Sequence, residues 1–108
     1  MTDTENNMTA STDAEKVLRA KINLETAEIN WLDLQVFYAK GHVIHINDGL
    51  DIVDVAYQLS IDNKVILEKW QRENVVVAVT DEQALFWYEN KTDLWAVVVR
   101  PWVLVQNR

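Results

Sequence analysis

The sequence predicts a single small α+β domain in which a three-stranded sheet is covered by four to five helices. Three observations carry this expectation. Helix-capping signatures recur ahead of apolar segments with helical spacing, and short β-branched runs alternate with those segments. Residues 94–106, Leu-Trp-Ala-Val-Val-Val-Arg-Pro-Trp-Val-Leu-Val-Gln, are rich in β-branched and aromatic side chains and read as a buried strand interrupted at its proline. A chain of 108 residues supports one core rather than two.

Residues 1–11 are small and polar without apolar period, so a disordered tail is expected there and the domain is assigned to 12–108. Thr12-Asp13-Ala14-Glu15 is a capping box, opening a helix from 13 to about 24 with Ala14, Val17, Leu18 and Ile22 inward. Asn30 caps a second helix, 31–40, on which Trp31, Leu34, Phe37 and Tyr38 share a face and which Gly41 can end in a left-handed conformation. His-Val-Ile-His-Ile, 42–46, is a strand, and Asn47-Asp48-Gly49 is a turn or the cap of the next helix.

Residues 50–60 fit two patterns. Val53, Val55, Tyr57 and Leu59 alternate with smaller or polar residues as in a strand, which would make a hairpin and a mixed sheet. Asp51, Asp54, Gln58 and Asp62 instead form a helical polar stripe and Ile52 breaks the alternation, so helix is the preferred assignment. Asp62 is expected to cap a further helix through Asn74, with Ile66, Leu67 and Trp70 inward and Lys64, Glu68 and Arg72 as an outward charge ladder. Val75–Val79 is a short strand, and Thr80-Asp81-Glu82-Gln83 is a second capping box opening a helix to about Asn90. Helix-bearing connections favour right-handed crossovers, hence a largely parallel sheet. In the final run Leu94–Val99 is expected to be central, Arg100 and Pro101 to mark an edge or bulge, and Trp102–Gln106 to resume beyond it.

Composition excludes more than it identifies. Seventeen acidic against ten basic side chains give a formal charge of −7, a field that repels phosphate backbones, so neither nucleic acid nor an anionic membrane is expected as partner. Without cysteine there is no disulfide, thiolate metal site or cysteine nucleophile. The chain begins with no basic segment followed by an apolar stretch, and no run approaches bilayer length, so a cytoplasmic, soluble protein is expected. Gly41 and Gly49 stand alone, and no Gly-x-Ser-x-Gly elbow occurs; neither a phosphate loop nor any other cofactor site is expected.

The candidate ligand-binding residues are Arg100, His45, Asp51 and Asp54. His42 and His45 with Asp48, Asp51 and Asp54 place imidazoles and carboxylates every third residue, but strand residues three apart face opposite ways, so no metal site is expected. Asp51 and Asp54 on one helix would lie about 5–6 Å apart, a spacing that suits an acid–base pair and equally suits capping of a helix start. Arg100, within the most apolar run, must leave the sheet, pair with a carboxylate, or face a pocket for an anion. Trp31, Trp70, Trp87 and Trp95 are assigned to the core. Pro101 and Trp102, an aromatic beside a strand interruption, are the candidate interaction residues.

The closing Leu94–Val99 and Pro101–Gln106, the Asp81-Glu82-Gln83-Ala84 helix opening, Leu24-Glu25-Thr26-Ala27 and Leu50-Asp51 together resemble the bacterial domain of unknown function 2288 family, over roughly residues 21–106. The resemblance implies a small bacterial cytoplasmic protein and carries no activity, cofactor or catalytic residue. The reading the residues favour is a protein-interaction or self-association module, with a protein partner or a homodimer. The alternative is a small-ligand-binding protein or minor enzyme with a carboxylate, histidine and arginine pocket. An acidic mimic of nucleic acid ranks third, because the carboxylates are dispersed.

Overall fold

The structure, a computed structural model, describes the backbone of residues 2–108 and the side chains of residues 13–108. The first helix begins at Thr2 and not at the expected 13, and the side chains of 1–12, the Thr12 hydroxyl among them, lie outside the described residues. In chain order the elements are α1 (Thr2–Glu25), β1 (Ala27–Asn30), α2 (Trp31–Ala39), β2 (Val43–Ile46), α3 (Ile52–Ser60), α4 (Lys64–Arg72), β3 (Val76–Ala78), α5 (Asp81–Glu89), β4 (Asp93–Val99) and β5 (Trp102–Asn107). The α+β class and the five helices agree with expectation, and residues 52–60 are helical. No helix among the described residues is long and apolar enough to cross a membrane.

The sheet departs from expectation. It has five strands, not three, in the order β1-β4-β5-β2-β3, and it is mixed: β2 and β5 run parallel while the other three pairings are antiparallel. One extra strand is β1, Ala-Glu-Ile-Asn, too short to show a period and specified by what it joins: its residues pair with β4, and the Asn30 amide donates to the Lys91 carbonyl at 2.8 Å and to Asp93 at 2.9 Å. The other comes from the terminal run. The Arg100–Pro101 peptide is cis and occupies a tight turn closed by the Val99–Trp102 pair, so the interruption is a hairpin between β4 and β5, neither a bulge nor an edge. Both halves are interior strands, and β5 is the middle of the sheet.

Alternation along the strands loads both faces. On one, Trp31 and Leu34 of α2 and Ala84 and Trp87 of α5 pack on Val43, Leu94, Ala96, Val103 and Val105. On the other, Ile22 of α1, Ile52, Val55 and Ala56 of α3 and Trp70 of α4 pack on Ile46, Val76, Val97 and Leu104. Helix α1 is anchored by Ile22 and Leu18, whereas Val17, expected inward, is exposed. Its second anchor is Arg19, which donates to Asp54 at 2.8 Å and Glu15 at 3.1 Å and lies 4.3 Å over the Tyr57 ring. Trp95, expected in the core, is 38% exposed.

The local signals behave as the chemistry requires. Gly41 ends α2 at φ +75°. The reciprocal capping box of Thr80 and Gln83 is formed, with both bonds at 3.1 Å. One cap moves: Asn63, not Asp62, caps α4, because Asp62 takes a left-handed conformation at φ +56° and leaves the Asn63 oxygen to accept from the Ile66 amide. The loop before α3 is held to β5 by Gln106, whose amide donates to the carbonyls of Asn47 and Leu50.

Candidate docking face

The structure does not bring Arg100, His45, Asp51 and Asp54 together. Asp51 caps α3, its oxygen accepting from the Val53 amide at 2.9 Å, and Asp54 in the first turn is engaged by Arg19. His45 faces the opposite side of the sheet, its ring 5.7 Å from Trp87. Its Nε2 is buried without a hydrogen-bond partner, and burial holds the imidazole below its ordinary pKa, with Asp48 pulling weakly the other way. His42, three residues earlier, meets Trp102 edge-on at 5.9 Å on the α3–α4 side. Arg100 leaves the sheet at the hairpin turn and is exposed, within reach of no carboxylate among the described ion pairs. Pro101 is exposed beside it, and the Trp102 ring is half-buried against the α3–α4 cluster. Among the described residues no three His, Asp or Glu side chains are grouped to hold a metal ion.

The exposed apolar surface gathers elsewhere, on α2 and α5. Asn30 and the Thr80–Gln83 box start these helices, and each is nine residues long. Each spends two residues on the core. Trp31 and Trp87 meet at 5.1 Å with tilted rings, and Tyr38 extends the cluster 5.5 Å from Trp31. The remaining large side chains have nowhere inward to go. In α2, Trp-Leu-Asp-Leu-Gln-Val-Phe-Tyr-Ala is apolar on every side, and only the Trp31–Leu34–Tyr38 stripe faces the sheet. In α5, Leu85-Phe86-Trp87-Tyr88 places four large residues in succession, and at 3.6 residues per turn only Trp87 can point inward. Val36 and Phe86 are each 61% exposed and Leu85 57%, with Leu32, Phe37 and Tyr88 also open to solvent.

A hollow flanks α2 on each side. Between α2 and α5 lies an open groove of about 490 Å³ bordered by Trp31, Gln35, Tyr38, Asp81, Leu85 and Tyr88. The Tyr38 hydroxyl donates to the Asp81 carboxylate across it, and this bond raises the Tyr38 pKa. On the other flank a more enclosed cavity of about 300 Å³ is walled by Ile29, Leu34, Phe37, Ala96 and Val98, with the exposed Glu25 and Asp33 beside it. Val98, half exposed, leads from this cavity to the Arg100–Pro101 turn.

The sequence reading missed this face because it placed Phe37 and Tyr38 together on an inner stripe and took the fifth helix as core cover. A signal was present. The α2 segment has no polar side, α5 sets four large residues in succession, and a nine-residue helix on a sheet can bury only one stripe.

Comparison with known proteins identifies a family and a similar solved structure. A family model described as a protein of unknown function (DUF2288) matches residues 17–107. The chain is similar to the solution NMR structure of PA1075 from Pseudomonas aeruginosa, with 38% identity over 85% of each chain and a TM-score of 0.74. The comparison with curated proteins finds no match.

Proposed function

The chain belongs to the DUF2288 family of proteins of unknown function, and from that premise and the geometry above we propose that it is a protein-interaction module whose docking surface is the outer face of α2 and α5. The observation that carries the reading is the apolar ridge of α2 standing between two hollows. Exposed apolar side chains are ordinary when scattered singly, but six on two neighbouring short helices, with Phe37, Phe86 and Tyr88 among them, have the composition of protein interfaces. Two short helices capped at both ends and pinned to the sheet by Trp31 and Trp87 form a rigid platform, so little ordering entropy opposes binding. The hairpin turn with Pro101 borders the same face through Val98, whereas Trp102 serves the core.

The test is photo-crosslinking in the native cell. A benzophenone amino acid is placed singly at Val36, Leu85, Pro101 or Val65, the last an exposed valine on α4. Protein adducts at Val36 and Leu85 with none at Val65 support the reading. Adducts confined to Pro101 would move the surface to the turn, and equal labelling at Val65 would overturn it.

A further inference from the structure

We infer that the partner seated on the α2–α5 face is a basic amphipathic segment of another protein, not a second copy of this chain; the inference rests on the docking reading above. Helices α2 and α5 carry Asp33, Asp81, Glu82 and Glu89 and not one Lys or Arg, and Glu25 adds a carboxylate at the enclosed cavity. The nearest basic residues in sequence, Lys40 and Lys91, lie beyond the helix ends. The described ion pairs all use Arg19 or Arg108, on Glu15, Asp54, Glu28 and Asp93, so Glu25, Asp33, Glu82 and Glu89 are unpaired among the described residues.

Charge complementarity therefore selects the occupant. A two-fold pairing of this face with itself is isologous, setting two surfaces whose charged side chains are carboxylates against each other with no cation from either helix pair to neutralise them. The chain's overall charge of −7 opposes that pairing at longer range as well. A segment with large apolar side chains on one side meets the two hollows, and Lys or Arg on its flanks meets the carboxylates. The groove between two antiparallel-packed helices takes a helix by the ordinary helix-in-groove mode, with anchors at i, i+3 or i+4, and i+7.

Two synthetic 14-residue helices of identical leucine pattern, one with lysine and one with glutamate at every polar position, are titrated into the full ¹⁵N-labelled chain. The lysine peptide should shift amides of α2, α5 and Val98. Asp33→Asn/Glu82→Gln/Glu89→Gln should weaken it about tenfold, as should Val36→Ser/Leu85→Ser. Unchanged amide dispersion in both variants shows that they fold. Equal binding of the glutamate peptide at this face, or concentration-dependent shifts of the same amides without peptide, would overturn the inference while leaving the docking reading standing. Lysine-peptide shifts spread over the whole acidic surface, insensitive to Val36→Ser/Leu85→Ser, would overturn both.

Discussion

Replacing Trp31 by alanine tests the claim that α2 is held to the sheet by one stripe while the rest of the helix is free. Trp31 is 1% exposed, and its ring touches those of Trp87 at 5.1 Å and Tyr38 at 5.5 Å. Truncating a fully buried tryptophan costs about 3–5 kcal/mol, a figure that includes the loss of such ring pairs. Alanine is the better helix former, so helix propensity opposes the loss and cannot be its source. Against a typical total of about 5–15 kcal/mol, Trp31→Ala should remain folded but lower Tm by roughly 15–30 °C. Val36, in the next turn and 61% exposed, is the control: Val36→Ala should stay within about 0.5 kcal/mol of the parent. Urea unfolding followed by far-ultraviolet circular dichroism measures both, with unchanged m-values as the check that one transition is being compared. A loss below about 1 kcal/mol for Trp31→Ala, or equal losses at the two positions, would refute the one-stripe account of α2.

Further outcomes follow from the caps, the ion pair and the buried imidazole. Asp51→Ala removes the α3 cap and should cost about 1 kcal/mol by the same urea assay, with Asp51→Ser recovering most of it. Arg19→Ala should cost more than Asp54→Asn, because arginine also loses its stacking on Tyr57; the half-exposed ion pair itself is worth no more than about 1 kcal/mol, and added salt should shrink the ionic part of both effects while leaving the excess loss of Arg19→Ala. Burial keeps His45 below its ordinary pKa of 6.5, so the unfolded chain takes up the proton first as pH falls. The parent should therefore lose stability on acidification below about pH 6.5, and urea midpoints for His45→Gln should decline less steeply over the same interval.

Legibility in the sequence tracked the range of the interactions involved. The caps at Asn30 and Thr80, the Gly41 stop and the helix at 52–60 rest on residues within four positions of one another, and all are where the sequence places them. The strands failed where pairing is non-local. Nothing within Ala27–Asn30 announces a strand until β4, more than sixty positions later, supplies its partner. Residues 94–106 were legible as strand, but a proline between two apolar halves fits a bulge, an edge or a turn alike, and only the Val99–Trp102 pairing decides for the turn. The exposed apolar face of α2 and α5 was missed for a different reason. The sequence reading sets Phe37 on the inner stripe of α2 and names no face of α5, whereas Phe37 is open to solvent with Leu32, Val36, Leu85 and Phe86, because one sheet face has room for one stripe from each helix.

The position of β5 bears on how the protein is made. Four strands precede it in the chain, yet it is the one that joins them: β1 with β4 on one side, β2 with β3 on the other. A nascent chain lacking residues 102–107 would carry two separate two-stranded pieces, each a marginal unit in water, with Val103, Leu104 and Val105 missing from the cores on both faces. Synthesis proceeds at about 5–20 residues per second, so the apolar edges of β4 and β2 stay open until translation has passed this segment. Frameshifts or stops immediately before Trp102 should therefore yield aggregation and proteolysis rather than a smaller folded protein, even though they remove only the last strand of the fold.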